Sequence, residues 1–292
     1  MKNVIVFIFI LLGIHLQSDS FLQLDGKCSK GHMPSCFQLG MMFESGETVR
    51  LDYAEARRYF KQACSAGHTK ACIQLGDIYE REIGVDKNLA KARSLYEKAC
   101  HKGDGEGCYY IARLEENNHH INKAVQRYDQ ACRKKFAMAC SSLGIMYDFG
   151  RRVKKNATLA RKYYSAACKL DNSSCSWLGN AYENAKLGVK QDDTKARYYY
   201  DKACKGNNAE GCYKLGNFYY YGKSVKKSYR NAVLYYRKAC SLGGFGTAEG
   251  CNNLGVLYSQ GKGVEKNRAH AVKYYKKACK LGYYDACKQF KE

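Results

Sequence analysis

The chain has 292 residues, of which 16 are cysteines and 26 are tyrosines, and its formal net charge is +22. Hydrophobic residues make up 46% and charged residues 26%, which is typical of folded proteins and excludes a wholly disordered chain. The single proline excludes collagen-like and proline-rich chains. The length fits one large domain, two ordinary domains or an array of repeats.

Residues 1–20 have the pattern of an export signal. Lys2 precedes an apolar run at residues 4–14, and Ser18 and Ser20 are small residues at the spacing of a cleavage site. The run is short for a membrane span, so we predict a cleaved secretory signal peptide. An N-terminal anchor and a buried helix are the alternatives. We therefore expect a periplasmic or secreted protein, in a compartment where disulfides persist.

The cysteines form eight pairs at a regular period. Six pairs have seven intervening residues, and the first cysteine recurs at steps of 32 to 39 residues. A nearly constant period in this range is the signature of a solenoid of repeated units. The pairs are Cys28–Cys36, Cys64–Cys72, Cys100–Cys108, Cys132–Cys140, Cys168–Cys175, Cys204–Cys212, Cys240–Cys251 and Cys279–Cys287.

Each unit contains two predicted helices. The first carries Cys-x-x-Leu-Gly-x-x-Tyr, as in residues 212–219, and this spacing places Cys, Leu and Tyr on one helix face. A Gly-x-x-Val-x-x-Asn loop follows, as in residues 261–267, where Gly ends the first helix and Asn caps the second. The second helix carries Ala-x-x-Tyr-Tyr-x-x-Ala-Cys, as in residues 196–204. We therefore expect most tyrosines to have packing roles.

Each cysteine pair joins the end of a second helix to the start of the next first helix, which suits a local disulfide. Zinc sites use other spacings, the seven histidines are scattered, and export favours oxidation. We therefore predict eight local disulfides, no metal site and no cofactor. Other pairings are formally possible, and only the period selects the local ones. By loop-closure entropy, a loop of about nine residues is worth roughly 2.5 kcal/mol per disulfide.

Together these motifs resemble Sel-like repeats, which are relatives of the tetratricopeptide repeat. With a cysteine pair in every unit, the chain is similar to the Helicobacter cysteine-rich protein (Hcp) family of secreted solenoids. The resemblance covers about residues 22–292. It implies an all-α, right-handed αα-solenoid of about seven helix pairs plus capping helices over residues 21–292, and we expect a monomer. The unit at 104–135 departs from the pattern, with Glu115 in place of Tyr, and residues 244–246 lengthen the corner before Cys251.

The resemblance also implies two kinds of activity. Members of the family have been described as penicillin-binding proteins with weak β-lactamase activity and as secreted factors that act on host cells. A serine β-lactamase needs Ser-x-x-Lys together with Ser-Asp-Asn and Lys-Thr-Gly. The last two motifs are absent, and the two Ser-x-x-Lys matches, Ser224–Lys227 and Ser259–Lys262, are about as many as chance predicts. No catalytic residues are therefore identified, and an action on β-lactams or peptidoglycan fragments rests on the resemblance alone.

A binding groove has more support from the residues. In tetratricopeptide-like arrays the first helix lines the concave groove, so the residues that follow its Cys, Gly and Tyr point outward. An Asn amide both donates to and accepts from an extended peptide backbone. We predict a groove for a protein or peptide ligand formed by Asn180, Asn217, Asn252, Asn253, Tyr213 and Tyr220. A solvated polar surface is the alternative.

The positive charge falls mainly on second helices and loops, for example at Lys273, Lys276, Lys277 and Lys280. A basic outer surface is able to bind lipid headgroups, sulfated glycans or nucleic acid without specificity, and simple solubility is the alternative. Since no nucleic-acid-binding fold is recognised, we do not expect sequence-specific readout of DNA or RNA.

Overall fold

The computed structural model describes residues 21–290, which divide into two units, residues 21–134 and 135–290. Every regular element of these residues is a helix, so the predicted all-α repeat fold is confirmed. The predicted signal peptide at residues 1–20 lies outside the described residues. Among the described helices, none combines the length and apolarity that a membrane span requires.

The first unit alternates first and second helices of the predicted repeat, after a helical segment at residues 21–29. Its helices are α1 (Met33–Ser45), α2 (Tyr53–Ser65), α3 (Thr69–Arg81), α4 (Leu89–His101), α5 (Gly105–Asn117) and α6 (Ile121–Arg133). Two of its second helices, α2 and α4, begin at side-chain caps: Asp52 accepts from the backbone N–H groups of Ala54 and Glu55, and Asn88 accepts from that of Lys91.

The second unit continues the same alternation. Its helices are α7 (Ala137–Phe149), α8 (Ala157–Leu170), α9 (Ser176–Glu183), α10 (Asp193–Lys205), α11 (Ala209–Tyr221), α12 (Tyr229–Ser241), α13 (Thr247–Gln260), α14 (Arg268–Lys280) and α15 (Tyr284–Lys288). A 3₁₀ turn at Asn172–Cys175 precedes α9. Gly261 ends α13 in the left-handed conformation and Asn267 caps α14 through the N–H of His270, as the loop motif predicts.

Within each unit, helix pairs are stabilised by buried tyrosines of second helices, which pack on the glycines of the preceding first helices. Tyr96, Tyr164, Tyr200 and Tyr236 are fully buried. Their hydroxyls reach polar side chains of the first helix: that of Tyr96 donates to Glu80 at 2.8 Å. Each ring therefore fills the interhelical space while its hydroxyl keeps a hydrogen-bond partner.

We expect Gly216→Ala to lower the free energy of unfolding by about 2 kcal/mol. A Cβ at residue 216 would lie 2.5 Å from Cδ1 and Cε1 of Tyr236, so either the ring or the helix must move. A contact this close places the overpacking cost at the upper end of about 1–3 kcal/mol, and subtracting the roughly 1 kcal/mol by which alanine favours a helix over glycine leaves about 2 kcal/mol. Urea denaturation of both proteins measures the difference.

Gly243→Ala is the matched control, because a Cβ there meets nothing within 4 Å. It should change the unfolding midpoint little. Equal midpoints for Gly216→Ala and the parent protein would contradict the packing argument.

A local disulfide closes the corner between successive helix pairs, as the fold prediction requires. The bonds in the first unit are Cys28–Cys36, Cys64–Cys72 and Cys100–Cys108. Those in the second unit are Cys168–Cys175, Cys204–Cys212, Cys240–Cys251 and Cys279–Cys287. Cys132 and Cys140 are also disulfide-bonded, and no cysteine among residues 21–290 is free. The corners are thus covalently closed in both units.

Candidate functional site

The first helices of the second unit, α7, α9, α11 and α13, present a common surface that we call the first-helix face. Neighbouring first helices touch through side chains about one repeat apart. Asn253 Nδ2 donates to Asn217 Oδ1 at 3.3 Å, and Lys214 Nζ donates to Glu183 Oε2 at 3.1 Å. These contacts place the outward residues of α9, α11 and α13 side by side.

Three of the predicted asparagines form a chain of amides on this face. Asn217 Oδ1 accepts a hydrogen bond from the Tyr236 hydroxyl at 2.6 Å and a second from Asn253. Asn252 Nδ2 in turn donates to Asn253 Oδ1 at 3.3 Å. Within residues 21–290, Asn217 Nδ2 and Asn252 Oδ1 have no hydrogen-bond partner. The chain of amides therefore keeps one donor group and one acceptor available to a ligand.

Two of the predicted tyrosines lie on either side of Asn217 along α11. Residues 213, 217 and 220 follow helical i, i+4, i+7 spacing and share one face. The ring centroid of Tyr213 is 6.3 Å from that of Tyr236, and the ring centroid of Tyr220 is 5.3 Å from that of Tyr229. Both tyrosines are half-buried, so each is anchored in the core and also presents ring surface.

Asn180 does not join this amide chain. It lies near the Tyr200 hydroxyl, which donates to Glu183 Oε2 at 2.7 Å. Burial raises the pKa of Tyr200. Asn180 also lines a cavity of about 320 Å³ beside Trp177 and Leu187. The predicted set therefore divides, with Asn217, Asn252, Asn253 and the two tyrosines on one part of the face and Asn180 on another.

The three rows of outward positions predicted from the sequence leave out the residue immediately before Leu in the first-helix motif, although the predicted set names Asn253 at that position. Trp177 occupies this position in α9 and stacks on Tyr164, with the ring centroids 5.2 Å apart. Lys214 occupies it in α11 and pairs with Glu183. One signal in the sequence was that Trp177 is the only tryptophan in the chain. Asn253 lies at the same position, so this row contributes to the face in three successive repeats.

Acidic groups surround Lys214 on the α9 and α11 part of the face. Burial raises the pKa of Glu210, although its hydrogen bond with Ser176 and the charge of Lys214 oppose this effect. Lys214 itself is held by Glu183. The face thus offers a neutral amide part around Asn217 and a mixed-charge part around Lys214.

The two Ser-x-x-Lys matches do not form proton-transfer pairs. Ser224 Oγ donates to the Asp193 carbonyl at 3.3 Å, and Ser259 Oγ donates to the Val256 carbonyl at 2.9 Å. Each of the two lysines lies over the ring of Tyr229. The distances from Lys227 Nζ and Lys262 Nζ to the ring centroid are 4.9 and 5.4 Å. Both lysine ammonium groups therefore interact with an aromatic ring and not with a serine. This geometry favours neither serine as a nucleophile.

Solved structures share this fold. A Sel1 repeat protein from Oxalobacter formigenes has a TM-score of 0.73 at 24% identity, over 93% of this chain and 79% of that chain. The protective antigen c5321 of uropathogenic Escherichia coli, described as having an SLR fold, has a TM-score of 0.68 at 24% identity over 91% of this chain. The match spans 57% of the antigen's own length.

A closer sequence match covers a smaller part. Helicobacter pylori cysteine rich protein B is 42% identical over 48% of this chain and 99% of that chain, with a TM-score of 0.38. No curated protein sequence matches the chain significantly.

The Sel1 repeat matches most of the chain. The matched segments are residues 34–68, 69–104, 137–172, 173–208, 209–244 and 248–283. The segment at 105–136, which contains Glu115, lies between matched repeats. These matches confirm the resemblance to Sel-like repeats, and the chain belongs to the Sel1 repeat family.

Proposed function

We propose that the first-helix face of the second unit binds an extended segment of a protein partner outside the cytosol. The observation that carries the proposal is the amide chain of Asn217, Asn253 and Asn252, with an open donor on Asn217 and an open acceptor on Asn252. An extended peptide presents backbone N–H and C=O groups in alternation, which is the complement of such a pair.

The Asn217 amide is already oriented before a ligand arrives. Its Oδ1 is held by the Tyr236 hydroxyl at 2.6 Å, and Tyr236 is fully buried. A binding group that is fixed beforehand loses less conformational entropy on association, which favours affinity. Tyr213 and Tyr220 add half-buried aromatic surface on both sides, and such residues are enriched at protein interfaces. Solenoids generally bind partners along extended surfaces of this kind.

The disulfides support an extracytoplasmic location. A bond in each corner persists in the periplasm or outside the cell and is rare in a reducing cytosol. A cleaved signal peptide at residues 1–20 is part of this proposal. The geometry of Ser224–Lys227 and Ser259–Lys262 does not favour β-lactam hydrolysis, so the proposal is limited to binding.

We expect Asn217→Asp to weaken binding of selected peptides about tenfold or more, as loss of one buried hydrogen bond does. Aspartate keeps an acceptor for the Tyr236 hydroxyl and removes the open Nδ2 donor. The probe is a library of random peptides displayed on phage, selected on the oxidised chain of residues 21–292. Fluorescence polarisation then measures the affinity of each selected peptide for the parent protein and the variant.

Asn122→Asp is the control, because Asn122 is exposed on α6 of the first unit and the substitution adds the same charge. Asn252→Ala should weaken the same peptides. The proposal fails if no peptide is selected, or if selected peptides bind Asn217→Asp and Asn252→Ala as tightly as the parent protein.

A further inference from the structure

A second surface of the second unit follows the disulfide-closed corners at residues 169–175, 205–211, 241–250 and 280–286, which we call the disulfide edge. Successive corners stack directly. A Cβ at Gly206 would clash with the backbone of Asn172 and Ser173, and one at Gly246 would lie 2.5 Å from the Cα of Glu210. The corners therefore form a continuous edge of this unit.

The corner between Cys240 and Cys251 projects an aromatic side chain into solvent. The two cysteines are 11 residues apart, against 8 for Cys204 and Cys212, and the extra residues include Phe245. Phe245 is 92% exposed. It is the most exposed of the large hydrophobic side chains among residues 21–290, and nothing in the fold requires it to be apolar.

Further apolar groups lie on the next corner. Leu281 is 50% exposed and Tyr284 is 79% exposed. A cavity of about 440 Å³, lined by Phe245, Leu281 and Tyr283 among others, joins this corner to the previous one. The edge thus carries adjoining apolar groups rather than a single stray side chain, and adjoining exposed apolar groups indicate an interaction surface.

Uncompensated positive charge lies beside these groups. Four lysines of α14 line one shallow depression: Lys273, Lys276, Lys277 and Lys280. No carboxylate among residues 21–290 lies within ion-pair distance of any of them. Lys277 Nζ donates to the Cys240 carbonyl at 2.8 Å, which places this lysine at the corner that bears Phe245. A cluster of like charges without carboxylate partners produces a local positive potential that attracts an anionic surface.

We propose that the disulfide edge of the second unit docks on an anionic phospholipid surface. Phe245 and Leu281 enter the boundary between headgroups and acyl chains, and the lysines of α14 contact the phosphates. Apolar groups beside lysines are the composition that binds such a surface peripherally. A sulfated glycan would use the same lysines but would gain little from Phe245, so the aromatic side chain favours the lipid. This inference does not rest on the peptide-binding proposal.

Cosedimentation with vesicles tests the proposal. The oxidised chain of residues 21–292 should bind vesicles of phosphatidylglycerol and phosphatidylethanolamine, and not vesicles of phosphatidylcholine alone. Binding should weaken in about 1 M NaCl, where the Debye length falls to about 3 Å. Phe245→Ser should weaken binding about tenfold, because a serine cannot replace the buried aromatic area. The double variant Lys276→Glu/Lys280→Glu should abolish it.

Phe149→Ser is the matched control. Phe149 is 56% exposed in the same unit, but it lies at the end of α7 away from the disulfide edge. Binding of this variant should equal that of the parent protein. Absence of vesicle binding would overturn the proposal, as would equal losses for Phe149→Ser and Phe245→Ser. Binding to heparin alone, undiminished by Phe245→Ser, would reassign the lysines to a polyanion site.

Discussion

Reduction of the disulfides is expected to unfold both units at neutral pH and room temperature. Each bond closes a short loop and is worth about 2.5 kcal/mol through loop-closure entropy, so four bonds in the second unit contribute about 10 kcal/mol. This contribution is comparable with the whole net stability of a typical domain, which is about 5–15 kcal/mol. Circular dichroism during thermal melts, with and without a reductant, measures the loss of helix.

Removal of the disulfide from a single corner tests whether the loss of stability scales with the number of bonds removed. Cys204→Ala/Cys212→Ala removes one bond from the middle of the second unit and should lower the free energy of unfolding by about 2–3 kcal/mol while helix content is kept. An unchanged melting temperature after full reduction would show that helix packing alone stabilises the chain.

Arg93→Ala is expected to lower the free energy of unfolding of the first unit by about 2 kcal/mol. Glu115 lies where other repeats have Tyr, and its side chain is only 8% exposed. Its Oε1 accepts from Arg93 Nη1 at 2.6 Å, and its Oε2 lies 2.9 Å from His120 Nδ1. Leaving a buried carboxylate without one of its partners costs about 1–3 kcal/mol, and the Arg93 side chain is 32% exposed, so we expect a loss of about 2 kcal/mol. Urea denaturation measures it.

The same pair predicts a pH dependence. Burial by itself would raise the pKa of Glu115, but the hydrogen bonds from Arg93 and His120 outweigh it and hold that pKa below its ordinary value of 4.5. The pair therefore stabilises the fold fully above about pH 4.5, and this contribution is lost as the pH falls through the lowered pKa. Stability of the Glu115→Gln variant should fall less than that of the parent protein between pH 7 and pH 3.

Arg133→Ala is the control for these measurements. Arg133 pairs with Asp129 on the surface of α6, and its side chain is 75% exposed. Exposed ion pairs contribute little, so this variant should resemble the parent protein at both pH values. A loss as large as that of Arg93→Ala would mean that burial of Glu115 is not the cause.

Much of the candidate site followed from the repeat pattern. The predicted outward positions include Asn217 and Asn252, because each lies at a fixed number of residues from the Gly or Cys of its own helix. The same pattern missed Lys214 and Trp177, since it assigned only three rows to the outward face. Asn253 of the predicted set lies in a fourth row, just before Leu, and the contact between Lys214 and Glu183 places Lys214 of that row on the same face.

By itself the sequence determined the helical repeat and its disulfide corners, because both depend on the spacing of residues near one another in the chain. Only the tertiary structure decided which atoms of Asn217 remain open, since its partners come from another helix and from the next repeat. The tertiary structure also decided that Glu115 is buried against Arg93 and that Phe245 is exposed beside Lys277 of α14. Burial and pairing depend on which helices pack together, and a single repeat does not contain that information.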